Sequence, residues 1–188
     1  MMDYSNKKTI YQIRIILCGL RPPIWRVLQV ASNTRLSDFN TVLQLAMGWS
    51  NIHLHQFEQD GLHYGIPDPY FPDDTRRETD FCLDQLLRDP GDSLLYRYDF
   101  GNDWVHKVRL EKVLPFNDRI SLPLCLRGRR ACPLEEVGGP PGYRAFLSTF
   151  SDPGHPGHAE LLAWIEGQFD PEHFEVREAN DALGEYCR

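Results

Sequence analysis

The fold is decided by one stretch, Leu94-Leu-Tyr-Arg-Tyr-Asp-Phe-Gly-Asn-Asp-Trp-Val-His-Lys-Val-Arg-Leu110. Bulky side chains alternate with other residues on both sides of Gly101-Asn102-Asp103, a period-two pattern typical of half-buried strands. Gly, Asn and Asp favour tight turns, because they tolerate a left-handed backbone. The stretch therefore predicts an antiparallel hairpin. Its alternating residues are Tyr96, Tyr98 and Phe100 on one arm, and Trp104, His106, Val108 and Leu110 on the other.

The region before this hairpin predicts another strand pair and a helix. Residues 9–18 and 24–30 both alternate, and a Gly- and Pro-containing break separates them, so they predict a hairpin with a longer loop. Apolar residues then recur at helical spacing over residues 39–47. Ser37 is the expected N-cap of this helix, and Gly48 stands where a left-handed residue commonly ends one.

Further elements follow on both sides of the central hairpin. Residues 53–57 predict a strand, and Asp60-Gly61 predicts a tight turn after it. Residues 115–142 are rich in Pro and Gly and predict irregular structure. Helices are expected over residues 143–149 and 158–168, and the apolar residues of the second are expected to face the core.

Strands dominate the first part of the chain and helices the last, which favours the α+β class. A curled mixed or antiparallel sheet around the helix at 37–47, as in an α-β roll or β-grasp, buries that helix's apolar stripe. The helices near the C-terminus complete this architecture. The length of 188 residues suits a single domain.

Composition and charge limit the function classes. The net charge of −7 disfavours broad binding to nucleic acid, and the Arg127-Gly-Arg129-Arg130 run is interpreted as a solvated loop. The chain has five cysteines, no C-x-x-C pair, no apolar signal segment and no stretch long enough to span a bilayer. We therefore expect a cytoplasmic protein with free thiols and no membrane contact.

Three polar segments are candidates for chemistry. In the first, His53 and His55 are two apart, so on a strand both imidazoles point to one side. In the second, Asp99, Asp103 and His106 surround the hairpin turn. Carboxylates and imidazoles are ligands for zinc and also act as acid–base pairs. The alternatives are a half-exposed histidine pair and aspartates that brace the turn through backbone hydrogen bonds.

The second segment poses a geometric problem for any shared site. If the turn is a regular three-residue loop, Tyr98 lies opposite His106, and Asp99 and His106 project from opposite faces. A bulge at Gly101 changes this arrangement.

The third segment runs from Cys132 through Glu135 and Glu136 to Tyr143, and places a thiol and two carboxylates in a Pro- and Gly-rich loop. Loops of this kind often carry function. The alternative is a rigid connector whose cysteine packs as a small hydrophobe. Taken together, the candidate metal ligands are His53, His55, Asp99, His106 and Cys132, and the candidate catalytic residues are Asp103, His106 and Glu135.

These segments in this order resemble the plasmid pRiA4b ORF-3-like family over about residues 10–183. The resemblance is carried by Pro22-Pro-Ile-Trp-Arg26, Gln44-Leu-Ala-Met-Gly-Trp49, His53-Leu-His-Gln-Phe57, Tyr98-Asp-Phe-Gly101, Trp104-Val-His106 and Cys132-Pro133 with Gly138-Gly139 and Gly142-Tyr143. It implies a curled α+β fold and a prokaryotic protein associated with plasmids or mobile elements. It implies no particular activity.

The chain departs from the family pattern in two places. The family loop usually has Cys-Pro-Pro-Glu-Asp-Cys-Gly-Gly, whereas this chain has Leu134, Glu136 and Val137 at the second Pro, the Asp and the second Cys. It also has Gly-Asn-Asp-Trp where the family has Gly-Asp, a variable residue and Trp. If the two loop thiols form a metal site in relatives, this chain has lost one of its ligands, whereas a site built from His, Asp and Glu would be retained.

Three functions remain open from the sequence. The first is a binding or interaction module with a protein partner, in which the motifs are framework. The second is a hydrolase that uses a divalent metal such as zinc, or acid–base chemistry, in a pocket of His55, Asp103, His106, Cys132 and Glu135. The third is a nucleic-acid-associated factor of a mobile element, favoured by Arg127, Arg129 and Arg130.

Overall fold

A computed structural model describes residues 9–70 and 73–186. Within these residues, eight strands form one open sheet in the order β5-β4-β3-β6-β7-β1-β2-β8. Only the β4–β5 pair among them is parallel, so the sheet is mixed. The strands are β1 (Thr9–Leu17), β2 (Ile24–Ala31), β3 (His55–Gln59), β4 (Leu62–Gly65), β5 (Arg76–Arg77), β6 (Ser93–Tyr98), β7 (Trp104–Pro115) and β8 (Leu124–Arg129).

Five α-helices accompany the sheet in the described part of the chain. They are α1 (Leu36–Met47), α2 (Leu83–Leu86), α3 (Gly139–Ser151), α4 (His158–Trp164) and α5 (Val176–Tyr186). The predicted α+β class, with a mixed sheet around one helix and helices near the C-terminus, is confirmed. None of these helices is long and apolar enough to cross a membrane.

The inner face of the sheet forms the core against α1. On β1, Ile13 and Ile15 are fully buried, as the alternation predicts. β1 pairs with β2 as the predicted hairpin and with β7 on its other side. From α1, Phe39 stacks on Phe57 of β3 with ring centroids 6.2 Å apart. The expected burial of the α1 stripe by the sheet is therefore observed.

The N-terminus of helix α1 lies two residues earlier than the predicted N-cap at Ser37 implies. Its N-cap is Arg35, which makes no side-chain capping bond, so the assignment of Ser37 as N-cap is wrong. At the other end Gly48 has φ of 85°, and its N–H donates to the Gln44 carbonyl at 2.8 Å. The predicted left-handed end at Gly48 is confirmed.

The loop of the β6–β7 hairpin has five residues, not three. Tyr98 pairs with Trp104 and Tyr96 pairs with His106, so the expected Tyr98–His106 register is wrong. Asp99 and Asp103 both adopt φ of 55°, and the Asp103 N–H donates to the Asp99 carbonyl at 2.6 Å. This closure takes residues 99–103 out of the ladder. Phe100 therefore leaves the predicted alternation and is 50% exposed.

Strand β3 begins at His55, and His53 lies before it. The prediction that both imidazoles project from one strand face is therefore wrong. Pairing of β3 with β6 begins at the His55–Tyr98 pair. Leu54 lies before the strand, and its carbonyl accepts a 2.9 Å hydrogen bond from the Asp99 N–H. The two histidines consequently enter different environments.

Residues 115–142 contain a strand that their Pro- and Gly-rich composition did not predict. β8 pairs with β2 through a bulge, and Arg127 and Arg129 lie on it, so the solvated-loop interpretation is wrong for these two residues. Gly128 is required between them, because a Cβ there would lie 2.6 Å from the Phe174 ring. Arg130 follows with φ of 69° and is buried, paired with Glu172.

The C-terminal helices differ from expectation in their bounds. α3 extends beyond the predicted 143–149, and α4 ends at Trp164, short of the predicted residue 168. Of the residues expected on the core side of α4, Leu162 and Trp164 are exposed, and only Ile165, just after the helix, is buried. An apolar surface is therefore open where the sequence predicted packing.

Candidate functional site

The loop between α1 and β3, residues 48–54, is fixed by Trp49. The Trp49 ring stacks on Tyr98 at 5.3 Å and contacts Trp104 at 5.7 Å between centroids. Its indole N–H donates to the Pro133 carbonyl at 2.8 Å. One buried side chain thus joins the loop, the β6–β7 hairpin and the Cys132–Glu136 segment, because a buried indole needs both apolar contacts and an acceptor.

Asp99 organises the hairpin loop. Its carboxylate accepts bonds from the Gly101 N–H at 3.0 Å, the Asn102 N–H at 3.3 Å and the Asn102 amide at 2.6 Å. Burial by itself favours the neutral acid, but these hydrogen bonds outweigh it and hold the pKa of Asp99 below its ordinary value. Asp99 therefore braces the turn as an ionised group.

Glu135 connects the third polar segment to the second. The Tyr98 hydroxyl donates to Glu135 Oε1 at 2.6 Å, and the Ser50 N–H donates to Oε2 at 3.1 Å. The Asn102 amide reaches the Glu135 carbonyl at 3.3 Å. Burial, with the adjacent Glu135 charge, raises the pKa of Tyr98 to about 12, so its hydroxyl stays a donor at neutral pH. The Glu135 carboxylate is consequently held in one orientation.

His53 brings the first polar segment to the same place. Its Nε2 lies 3.7 Å from Asp99 Oδ2 and 3.6 Å from Glu136 Oε1. This nitrogen is itself buried and has no hydrogen-bond partner among the described residues, although the side chain as a whole is about one third exposed. His53, Asp99, Glu135 and Glu136 are called the loop cluster below.

The remaining candidate residues lie elsewhere. His55 is buried and bonds Glu78 at 2.8 Å between Nε2 and Oε2. Asp103 is half-exposed and accepts a 2.5 Å bond from Arg97. The side chains of both therefore make contacts with residues outside the loop cluster.

His106 is enclosed by aromatic rings, with centroid distances of 5.2 Å to Trp49 and 5.5 Å to Tyr96. It is 0% exposed, and neither ring nitrogen has a hydrogen-bond partner of normal geometry among the described residues. Burial lowers its pKa from 6.5 to about 4, although backbone groups of Tyr96 and Trp104 oppose the shift. His106 is thus a neutral side chain of the core at pH 7.

Cys132 lies against the buried guanidinium of Arg26, with 3.5 Å between Nη2 and Sγ. Burial raises the pKa of its thiol to about 11, and the Arg26 charge only partly opposes this. The thiol is therefore protonated at neutral pH, which disfavours nucleophilic or ligand chemistry.

The five candidate metal ligands do not converge. His55, His106 and Cys132 are held by separate contacts, and only His53 and Asp99 of the five belong to the loop cluster. Within residues 9–70 and 73–186, no group of three or more His, Cys, Asp or Glu side chains has an arrangement that could hold a metal ion. The structure therefore gives no support to the expected zinc site.

A cleft of about 530 Å³ adjoins the loop cluster. Its apolar walls include Ile52 and Trp164, which are 68% and 52% exposed, and Phe169. Its charged side chains are Glu135, Glu136 and Glu166, and no Lys, Arg or His is among its lining residues. Sequence reasoning missed Ile52 and Trp164. The sequence signal for the exposure of Trp164 was Gly167, because a glycine there favours an early end of the helix. Gly167 has φ of 66°, and α4 ends before it at Trp164.

Known proteins resemble this chain in sequence and in structure. The sequence profile described as "Plasmid pRiA4b ORF-3-like protein" matches residues 9–178. The uncharacterized protein y4hQ of Sinorhizobium fredii (strain NBRC 101917 / NGR234) is 36% identical over 160 residues, which cover 83% of this chain and 80% of that protein.

A solved structure has the same fold. The crystal structure of MM3350, a protein of unknown function from Methanosarcina mazei Go1, matches with a TM-score of 0.85 and 32% identity. The match covers 92% of this chain and 98% of that chain. Neither relative's description specifies a ligand or a reaction, so the site must be interpreted from its own chemistry.

Proposed function

This chain belongs to the plasmid pRiA4b ORF-3-like protein family, and we propose that it acts as a protein-binding module. The ligand is a short segment of a partner protein that carries an apolar side chain beside a Lys or Arg. It binds in the cleft between the 48–54 loop and the end of α4. The observation that carries the proposal is that this cleft combines exposed apolar walls with three carboxylates and no cationic lining residue.

The apolar walls supply the affinity. Ile52 and Trp164 are both more than half exposed on one cleft, although such residues are usually buried. Grouped exposed apolar side chains are a frequent mark of interaction sites, and Trp is enriched among the residues that dominate binding energy. Burying one Leu-sized side chain there contributes roughly 1.5–3 kcal/mol.

The carboxylates give the cleft its specificity for a cationic partner. Glu135 is oriented in advance by Tyr98 and Ser50, while the Glu136 side chain is 70% exposed and free to meet a ligand. Glu166 adds a third negative charge to the lining. A cation entering this cleft meets no repulsive group among the lining residues, whereas an acidic segment meets three.

A peptide titration tests the proposal. The probe is an acetylated and amidated Lys-Leu-Lys-Leu-Lys peptide, followed by isothermal calorimetry at low salt. Matched Glu-Leu-Glu-Leu-Glu and Lys-Ser-Lys-Ser-Lys peptides separate the charge requirement from the apolar one. We expect binding of the first peptide alone, and at least a tenfold loss in the Trp164→Ala variant.

Charge reversal in the cleft provides the second arm. The Glu136→Lys/Glu166→Lys double variant is expected to lose binding of the cationic peptide. The matched control is Asp74→Lys/Asp118→Lys, which changes the net charge equally at exposed loop positions outside the cleft lining. If both double variants lose affinity equally, the attraction is a property of the net charge and the proposed site is wrong.

Acid–base catalysis in the loop cluster is the second candidate function. It is favoured by His53, whose Nε2 has two carboxylates within 4 Å and no hydrogen bond within the described chain. Of the expected catalytic residues Asp103, His106 and Glu135, Glu135 lines the cleft beside it. Hydrolysis of p-nitrophenyl acetate or phosphate that disappears in His53→Asn and persists in His173→Asn would favour this candidate.

A further inference from the structure

The face of the sheet opposite α1 carries a second ordered set of side chains. Directly opposed residues of antiparallel strands project to the same side. One row across β6, β7, β1, β2 and β8 consists of Leu95, Lys107, Ile16, Trp25 and Arg129. The next row consists of Ser93, Arg109, Arg14, Val27 and Arg127. We call this surface the outer face.

The outer face is cationic although the whole chain is acidic. Its basic residues are Arg14, Arg97, Lys107, Arg109, Arg127 and Arg129. Lys107, Arg109 and Arg129 are exposed and form no ion pair with any carboxylate that the structure describes. Positive charge is therefore concentrated on this face although the net charge of the chain is −7.

Few carboxylates oppose these cations. Glu111 lies 2.6 Å from Arg14 and 4.0 Å from Arg127, and so offsets part of the second row. Asp103 pairs with Arg97 at the turn. Glu58, opposite Leu95 on β3, lies at the margin of the face. Among the described residues, the first row thus keeps two cations without an ion-pair partner, on either side of Ile16 and Trp25.

Trp25 gives the outer face an aromatic centre. It stands between Ile16 and Arg129 in the row and is partly exposed. The Arg14 guanidinium lies 4.5 Å from its ring centroid. Residues two apart on a strand are about 6.6–6.8 Å apart, and neighbouring strands about 4.8 Å, so cations and apolar side chains alternate at short spacing.

We propose that the outer face binds single-stranded nucleic acid. Cations that follow the backbone and an aromatic ring on which a base stacks are the two parts that such sites combine. A duplex keeps its bases stacked inside, so it offers no free base to stack on Trp25. This site lies on the opposite face of the sheet from the helices and is independent of the proposed peptide cleft.

Fluorescence anisotropy with a fluorescein-labelled dT 15-mer tests this inference. We expect binding that weakens steeply between 50 and 200 mM salt, because each phosphate contact releases counterions. The Lys107→Glu/Arg129→Glu variant is expected to lose at least tenfold in affinity. The Arg177→Glu control reverses a charge on α5, at an exposed residue on the helical side, and is expected to bind nearly as the unaltered protein.

Trp25→Leu separates stacking from charge. Loss of a stacked base lowers the affinity by roughly 5- to 150-fold, with the salt dependence unchanged. The proposal is overturned if a duplex of the same length binds as tightly as the dT 15-mer. It is also overturned if phosphatidylglycerol vesicles bind while the oligonucleotide does not, or if Lys107→Glu/Arg129→Glu binds normally. Urea unfolding of each variant verifies that the fold is intact.

Discussion

The Tyr98 hydroxyl donates a 2.6 Å hydrogen bond to the carboxylate of Glu135, 37 residues later in the chain. The same hydroxyl oxygen accepts the Ile52 N–H at 3.1 Å. One phenol on the end of β6 thus holds the 48–54 loop and the 132–136 segment side by side. The cleft walls and the loop cluster both depend on this junction.

Removing this hydroxyl is expected to weaken the junction. Tyr98→Phe leaves Glu135 Oε1 and the Ile52 N–H without this partner, so we expect a loss of about 1–2 kcal/mol in the free energy of unfolding. Urea denaturation measures it. Tyr143→Phe is the matched control, since the buried Tyr143 hydroxyl has no partner among the described residues and its removal is expected to be neutral or stabilising. Equal losses in both variants would contradict this role for Tyr98.

The buried His55–Glu78 pair is expected to support the sheet at β3. Both side chains are only 6% exposed, so deleting one partner strands the other away from water. We expect Glu78→Ala to cost about 1–3 kcal/mol, the usual cost of leaving a buried polar group without its hydrogen-bond partner. Glu78→Gln keeps a hydrogen-bonding side chain and is expected to lose less. Thermal and urea unfolding of the two variants decide whether they differ in this order.

His106 is expected to make the fold sensitive to mild acid. Its pKa is about 4 in the folded protein, against 6.5 in the unfolded chain, so between these values the unfolded state binds the extra proton. The contribution of His106 to the free energy of unfolding is therefore fully present above pH 6.5. It is lost as the pH drops toward 4, by up to about 3 kcal/mol.

The His106→Phe variant isolates this effect. Its free energy of unfolding, measured in urea from pH 4 to 7, should change less with pH than that of the unaltered protein. Asp99 affects the pH dependence of stability only below this pH range, because its pKa is held under the ordinary 3.8. Parallel curves for the two proteins would show that another group controls the acid response.

The buried guanidinium of Arg26 is expected to resist replacement by lysine. Its five N–H groups donate to four backbone carbonyls and one sulfur, those of Ala46, Trp25, Arg129, Arg130 and Cys132. Its Cζ atom lies 4.0 Å from the Phe174 ring centroid. An ammonium supplies three donors without this planar fork. We expect Arg26→Lys to cost roughly 2–4 kcal/mol, because buried carbonyls lose their donors.

Arg177→Lys provides the comparison for Arg26→Lys. Arg177 is almost fully exposed on α5, where the same change is expected to stay within about 0.5 kcal/mol. Unfolding of both variants is followed by circular dichroism in urea. A loss at Arg26 no larger than that at Arg177 would contradict the bonding role assigned to the guanidinium.

Local patterns predicted several elements because their periodicity is a property of neighbouring residues. The alternation of Ile13 and Ile15 fixes which side of β1 is buried, since a one-residue slip would expose both. The helix ending at Gly48 and the turn at Asp60-Gly61 follow from the backbone preferences of single residues, and both are observed. β8 was missed because its Leu, Cys, Arg and Gly residues show no clear alternation and follow a proline.

Part of the site could be anticipated in the same way. The sequence singled out His53, Asp99 and Glu135 as candidates in three separate polar segments, and the fold brings all three to one end of the sheet. It also grouped His55, His106 and Cys132 with them, and the fold separates these. Where β3 begins decides the position of His55, and the five-residue turn decides that of His106.

The sequence by itself determined the α+β class and most strands, because short-range periodicity depends only on neighbouring residues. It also determined the family, through motifs in a fixed order. Only the tertiary structure decided that β1 lies between β2 and β7, that Trp164 remains exposed and that the arginines of β8 align with Lys107 and Arg109 across the sheet. Pairings between distant segments depend on the packing of the whole chain, and no local pattern encodes them.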